Sequence, residues 1–389
     1  MVLFLHNRYR TTGGEERAVE DLMWVVREQL REPVELLTRS SAELPRGRAA
    51  LGLLRGGLDA DEVGAAVRAS GARVVHAHNL QPALGWRALA AAREAGARVV
   101  LHLHQYRLVC AIGVCFTRGA ECTRCHGRDT LPGARLNCRG NRAEAVTYAA
   151  SLALWQKRMV EQADAIVVPS VFARERLRAL GAPLPWERVN VLAPPVRALA
   201  GAETDSPAPG GSAPRSDYAL VVSRLAPEKG VDVAIEACRL AGVPLVVAGD
   251  GPEREALEAL ARSDQGHGGG GATADVRFAG HVEDAELARL RAGAAVALVP
   301  SRSAETFGLA AAEAMAAGLP VLASRVGALG ELVEEAALVA PGDPQGLAAA
   351  MTRLAGDSAA GERARERVRV VCAPELVARE LARIYDGSA

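Results

Sequence analysis

The chain has 389 residues, too many for one ordinary domain and enough for two of nearly 200 each. Hydrophobic residues make up 49 % of it, which excludes extensive disorder, and no run of about 18 uncharged apolar residues is present to span a bilayer. Net charge is zero, but residues 1–200 carry 28 Lys and Arg against 19 Asp and Glu (+9), and residues 201–389 carry 18 against 27 (−9). That asymmetry suits either an anionic partner for the first half or attraction between two domains.

Taken in chain order, Met1 to His6 reads as a first buried strand and lacks the basic start and apolar stretch of a secretory leader. A cytoplasmic location is therefore expected. Further strands are predicted at Val34–Leu37, Val74–Ala77, Val99–Leu103, Ala165–Val168 and Val189–Leu192, with helices such as Glu15–Arg31 and Pro82–Ala95 between them. The stretch 205–217 is rich in Pro, Gly and Ser and predicts a linker. The second half repeats the alternation at Tyr218–Val222, Leu245–Ala248, Val276–Phe278, Val296–Val299, Val321–Ala323 and Ala337–Val339. Its helices start near Val231, Glu253, Asp284, Gly308 and Pro344. The glycine-rich tract 265–272 follows a helix and precedes a strand, the wrong order for a phosphate cradle, so it reads as a surface loop. Residues 373–389 form a last amphipathic helix. Alternation of this kind predicts parallel sheets covered on both faces, hence two doubly wound α/β domains over 1–204 and 218–372, with a cysteine-rich insertion at 105–142. The last helix could return to the first domain.

Two strand-ending loops of the second half carry the chemistry. After Val299 comes Pro300-Ser-Arg-Ser-Ala-Glu305-Thr-Phe-Gly308, then an Ala-rich helix with Glu313, stopped by Gly318 and Pro320. The first amides of such a helix, those of Phe307, Gly308 and Leu309, can bind an anion or sugar oxygen. Glu305 and Glu313 can reach different hydroxyls of one extended ligand; an ordinary capped surface helix would explain the pair as well. After Val222 comes Ser223-Arg224-Leu-Ala-Pro-Glu-Lys229-Gly230, where a guanidinium fork and an ammonium suit a diphosphate. Lys229 is one of only two lysines in the chain. Both loops leave carboxyl ends of strands, where open α/β sheets bind ligands.

These segments resemble the retaining glycosyltransferases of the type-B fold, the group 1 or family 4 enzymes that include sucrose-phosphate synthases and mannosyltransferases. The matching pieces are Ser-Arg224-Leu with Glu-Lys229-Gly, Val-Ala-Gly249-Asp-Gly251-Pro-Glu, Phe-Ala-Gly280-His-Val282 and Glu305-x7-Glu313. The resemblance implies two Rossmann-like domains facing across a cleft and a UDP-, GDP- or ADP-sugar donor held by the second. Arg224 and Lys229 would then bind the diphosphate, Glu313 the ribose, Glu305 with the amides of Phe307, Gly308 and Leu309 the sugar, and the turn at Val282 the base. It further implies transfer to an acceptor hydroxyl with retention, as an α-glycoside, by same-face attack aided by the leaving diphosphate and with no catalytic metal required.

The first half resembles the family less closely. Thr12-Gly13-Gly14-Glu15 stands where the family has Gly-Gly-x-Glu, so Gly13 and Gly14 would approach the donor. His104 matches the histidine that lies near the reacting sugar, with Gln105 where Asp or Asn is commoner. Cys110-x11-Cys122-x2-Cys125-x12-Cys138 has the spacing of a four-sulfur structural zinc site, and a subset of the family resembles it. Cys115 and His126 compete as ligands, and reduced thiols without metal are the alternative. Asp59-Ala-Asp61 reads as a helix-capping feature. The stretch from Tyr148 to Arg158 permits peripheral contact with an anionic inner membrane face and a lipid-linked acceptor, as well as a polysaccharide or natural-product one. No nucleic-acid partner is expected. The rival readings are a sugar-nucleotide isomerase of similar double-domain shape and a non-catalytic nucleotide-sugar-binding or zinc-dependent interaction protein.

Overall fold

The computed structural model describes residues 1–9, 13–201, 217–263 and 275–388. Thr12, all of the predicted linker but Asp217, and the glycine-rich tract lie outside the described residues. The chain divides into two units, Met1–Thr117 with Cys122–Pro195 and Pro374–Ala389, and Val196–Ala373 with Arg118–Glu121.

In the first unit, β1 (Val2–Arg8), β2 (Val34–Ser40), β3 (Val74–Ala77), β4 (Arg98–His102), β7 (Ala165–Val168) and β8 (Val189–Val191) form one parallel sheet. The two-residue strands β5 (Phe116–Thr117) and β6 (Ala120–Glu121) lie outside it. The order is β2-β1-β3-β4-β7-β8, so the winding reverses between β1 and β3. β1 outruns its apolar stretch because the ladder to β2 continues through Arg8 and Ser40, and His6 and Asn7 are buried with it. The helix Gly14–Glu28 lays Ala18, Val19, Leu22, Val25 and Val26 on the sheet, the spacing of a single helical face. Into the same core the helix Pro374–Asp386 sends Val377, Ala378, Leu381, Ile384 and Tyr385. Each Val, Leu or Ile among them contributes about 1.5–3 kcal/mol of burial.

The second unit holds β9 (Ala219–Val222), β10 (Leu245–Ala248), β11 (Val276–Gly280), β12 (Val296–Val299), β13 (Val321–Ser324) and β14 (Leu338–Val339), all parallel. Their order is β11-β10-β9-β12-β13-β14, the dinucleotide-fold winding with its reversal between β9 and β12. Ala219 and Leu220 pair with Val296 and Ala297, so the loops that leave these two strands rise side by side. Gly230 (φ 65°) closes the approach: a Cβ there would stand 2.1 Å from the Pro300 carbonyl oxygen.

Other local features follow the sequence with small shifts. The helix expected at Gly308 runs Leu309–Ala316. Asp59 does precede a helix, Ala60–Ser70, but its carboxylate caps no amide; it accepts from Arg39 Nε at 2.9 Å instead. Among the described residues, no helix is long and apolar enough to cross a membrane. The stretch expected to meet a membrane lies in the helix Arg142–Glu161, where Tyr148 and Leu152 turn inward onto Leu53 and Ala111 while Leu154 is exposed.

Candidate active site

The reversal point of the second sheet brings the two predicted loops into contact. Glu228, buried in the turn after β9, accepts at its carbonyl from the Arg302 amide (2.8 Å) and the Ser303 amide (3.3 Å) of the loop after β12. Arg302 reinforces the junction by donating from both terminal nitrogens to Asp232, at 2.7 and 2.6 Å. On this frame Lys229 Nζ donates to Glu305 Oε1 at 2.6 Å, and Ser301 Oγ donates to the same oxygen at 2.6 Å. Arg224 is exposed and paired with the Glu228 carboxylate. Burial pushes the Glu305 carboxyl up, but Lys229, Ser301 and the more distant Arg224 outweigh it and hold the group below its ordinary range. Glu305 is therefore an anion poised between a hydroxyl and a lysine.

The backbone of Glu305 is fixed as well. Its carbonyl accepts from the Ala328 amide at 2.9 Å, and a Cβ on Gly327 (φ 62°) would sit 2.3 Å from the Glu305 nitrogen. Phe307, Gly308 and Leu309 follow directly, and the first-turn amides of the helix Leu309–Ala316 have no carbonyl one turn earlier to bond to. Glu313, two-thirds along that helix, pairs with Arg291 of the helix Asp284–Gly293; both side chains are nearly buried. Val282 stands half-buried in the turn between β11 and that same helix. The structure thus joins Lys229 to Glu305 directly and sets Glu313 on a different partner, Arg291. Sequence reasoning missed Arg291, Ser301 and the Arg302–Asp232 clasp, since nothing in their local pattern marks them.

In the first unit Gly13 precedes the helix Gly14–Glu28, and its amide donates to Glu16 at 2.9 Å, as does that of Tyr9 at 3.2 Å. The Tyr9 hydroxyl donates to Glu15 at 2.7 Å, and Arg107 lies over the Tyr9 ring at 4.7 Å. His104 belongs to a ladder of rings. In β3 and β4, residues two apart share a face, and the register sets Phe4 beside His76 in the neighbouring strand. His76 stacks on His102 (5.4 Å) and His78 on His104 (5.1 Å), while His102 and His104 stack at 4.1 Å. His78 Nδ1 lies 2.7 Å from His104 Nε2, His76 Nε2 3.2 Å from His102 Nδ1, and His76 Nδ1 2.8 Å from the Tyr385 hydroxyl. Burial pushes the His76 imidazole down to about 3 and those of His78, His102 and His104 down as well, so the ladder is neutral. The paired H-x-H spacings at 76–78 and 102–104 were the available signal for this ladder.

The cysteine segment folds around one pocket lined by Cys110, Cys115, Cys122, Cys125 and Cys138. Cys115 donates to Cys110 and brings that thiol down to about 6, whereas burial pushes Cys125 up to about 11. His126 is not part of the lining; its ring lies against Gly181. Among the described residues, the group of metal-ligating side chains whose donor atoms all lie within 4.8 Å of one another is His76, His78 and His102, not the cysteines.

Comparison with known proteins bears on both units. A family model described as a glycosyl transferase 4-like domain matches residues 4–195, and one described as glycosyl transferases group 1 matches residues 216–357. Glycogen synthase of Mycobacterium tuberculosis is 38 % identical over 178 residues, 43 % of this chain and 41 % of that protein. A D-inositol 3-phosphate glycosyltransferase of Nocardioides sp. is 38 % identical over 162 residues, 37 % of this chain and 35 % of that one. The matches thus span about two fifths of these curated relatives. Among solved structures, Anabaena HepE in complex with UDP and glucose aligns with a TM-score of 0.62 at 20 % identity, over 99 % of both chains. Sucrose-phosphate synthase from Thermosynechococcus elongatus gives 0.67 at 19 %, covering 100 % of this chain and 99 % of that one. With one family model on each unit and the same fold over whole solved chains, the protein belongs to the group 1 glycosyltransferases of the type-B fold.

Proposed function

We propose that the chain transfers a sugar from a nucleoside diphosphate sugar to an acceptor hydroxyl, with retention and an α-linked product. The observation that carries the reading is the Lys229–Glu305 contact at the reversal point of the second sheet, where a cation and a carboxylate share one place. Arg224 and Lys229 would take the diphosphate, the amides of Phe307, Gly308 and Leu309 its oxygens and the sugar, Glu313 the ribose hydroxyls, and the Val282 turn the base. Lys229 keeps two further N–H donors for a diphosphate, and Glu305 keeps its second carboxylate oxygen to accept from sugar hydroxyls.

In the transfer itself the acceptor oxygen bonds to the anomeric carbon as the bond from that carbon to the diphosphate oxygen breaks on the same face. The acceptor proton passes to the leaving oxygen, and the protein stabilises the charge that develops there. His104, Gly13 and Gly14 would stand beside the sugar. UDP-glucose is the first donor to test, because HepE is described with UDP and glucose. Thermal denaturation over a panel of UDP-, GDP- and ADP-sugars should show one donor that stabilises the protein, and that donor should release its nucleotide when acceptors are added. A panel in which no nucleotide sugar stabilises the protein or is consumed would end the reading.

The proposal extends to structural zinc in the cysteine pocket. Its lining is rich in sulfur, and an ion would have to draw the sulfurs together, since among the described residues no three of them lie within 4.8 Å of one another. Cys110, Cys122, Cys125 and Cys138 would hold it, and Cys115 competes with Cys110 from the same pocket. Peripheral membrane contact belongs to the proposal too, supported by exposed Leu54 and Leu154 near Lys157 and Arg158.

A further inference from the structure

We propose that His76, His78 and His102 form a metal site of their own, for a divalent transition ion of the zinc class, inside the core of the first unit. The three side chains come from adjacent strands β3 and β4, all are buried, and their donor nitrogens lie within 4.8 Å of one another. His76 Nε2 and His102 Nδ1 are 3.2 Å apart, close to the roughly 3.3 Å that separates two nitrogens on one tetrahedral zinc with bonds of about 2.0–2.1 Å. His78 supplies the independent pointer: its Nε2 is buried and has no hydrogen-bond partner among the described residues, in a side chain only 3 % exposed. An orphaned buried nitrogen is costly, and a coordinate bond would relieve it.

The surrounding hydrogen bonds set the tautomers of His76 and His78 as such a site needs, and the proton that His76 Nε2 and His102 Nδ1 share at 3.2 Å would move to His102 Nε2 when an ion binds. With Nδ1–H of His76 donating to the Tyr385 hydroxyl oxygen (2.8 Å), its Nε2 lone pair faces inward. With Nδ1–H of His78 donating to His104 Nε2 (2.7 Å), the orphaned Nε2 is likewise an acceptor for metal. Imidazole donors without sulfur or carboxylate favour zinc, copper or nickel over magnesium or calcium. Glu15 and Glu16, which act electrostatically on His104, supply negative charge on that side. An ion on His78 would also polarise the proton it shares with His104 and fix the orientation of that ring.

Crystals of the full-length chain grown from zinc-supplemented cells, with anomalous data collected at the zinc edge, test this directly. The expected result is a peak among His76 Nε2, His78 Nε2 and His102 Nδ1, apart from any peak in the cysteine pocket. Ordered rings with no anomalous peak between them would overturn the site. His78→Phe, which keeps a ring against Phe4 (5.4 Å in the native pair), should lose one metal equivalent per chain by mass spectrometry. Unchanged metal content in that variant would overturn the proposal equally. Should the variant fail to fold, the anomalous measurement on the native chain decides alone.

Discussion

Lys229 and Glu305 illustrate how little separation there is between holding the fold and waiting for a ligand. The 2.6 Å contact is a charge-assisted bond of partly buried groups, yet both ends carry the residue types a diphosphate and a sugar require. Lys229→Ala should lower turnover by about two to three orders of magnitude, because it removes charge stabilisation at the leaving oxygen. Its circular dichroism spectrum should match the native one, since Ser301 still donates to Glu305. Native turnover in the purified variant would remove Lys229 from the chemistry. Arg291 is the second residue worth changing. It anchors the Glu313 carboxylate, and Arg291→Leu should weaken nucleotide binding roughly tenfold, in line with loss of one charged hydrogen bond of about 1.5–3 kcal/mol. Calorimetric titration with the matched nucleotide measures it; an unaltered Kd would mean that Glu313 needs no anchor or touches no ribose.

Among the elements, the loops after β9 and β12 are held by partners that appear only in three dimensions. Glu228 receives two amides from the other loop, and Arg302 reaches back to Asp232. Because the Glu305 carboxyl is held below its ordinary value of 4.5, the unfolded chain binds its proton more readily than the folded one. The stabilisation from this group is complete above that value and fades as pH falls through the lowered folded value. Glu305→Gln should therefore be less stable than the native protein at neutral pH, with the gap closing in acid; a gap that is constant from pH 6 to pH 3 would contradict the pairing.

The same elements show what was legible beforehand. Val74–Ala77, Ala165–Val168, Leu245–Ala248 and Val296–Val299 stand where short apolar runs place them, because buried parallel strands need continuous hydrophobicity and little else. The loops were legible through their residue types at strand ends. The Glu313–Arg291 pair was not, and of the histidine ladder only its two H-x-H spacings were. The first joins two helices 22 positions apart, and the second depends on a register between strands that no local pattern fixes. The cysteine spacing indicated a cluster, and the pocket contains it, but the inclusion of Cys115 and the turning away of His126 are results of packing.

For the whole molecule, each unit has its own sheet, and the first is discontinuous in the chain. Its core includes five residues of the helix Pro374–Asp386, and Tyr385 is both buried and bonded to His76. Deleting Pro374–Ala389 should expose that face and destabilise the first unit by several kcal/mol, since a single large buried side chain already accounts for about 2–5. Hydrogen exchange should show β1, β3 and β4 losing protection while β9 and β12 keep theirs. Equal protection of both sheets in the truncated chain would show that the helix is dispensable.

That arrangement also constrains how the protein is made. A ribosome delivers the β strands of the first unit before those of the second, but the helix that seals them emerges only after the second unit's strands. Val196–Ala373 can close its own sheet as it is made, whereas the first unit stays incomplete until Pro374–Asp386 has followed it. The first sheet is thus the one left open longer on the nascent chain.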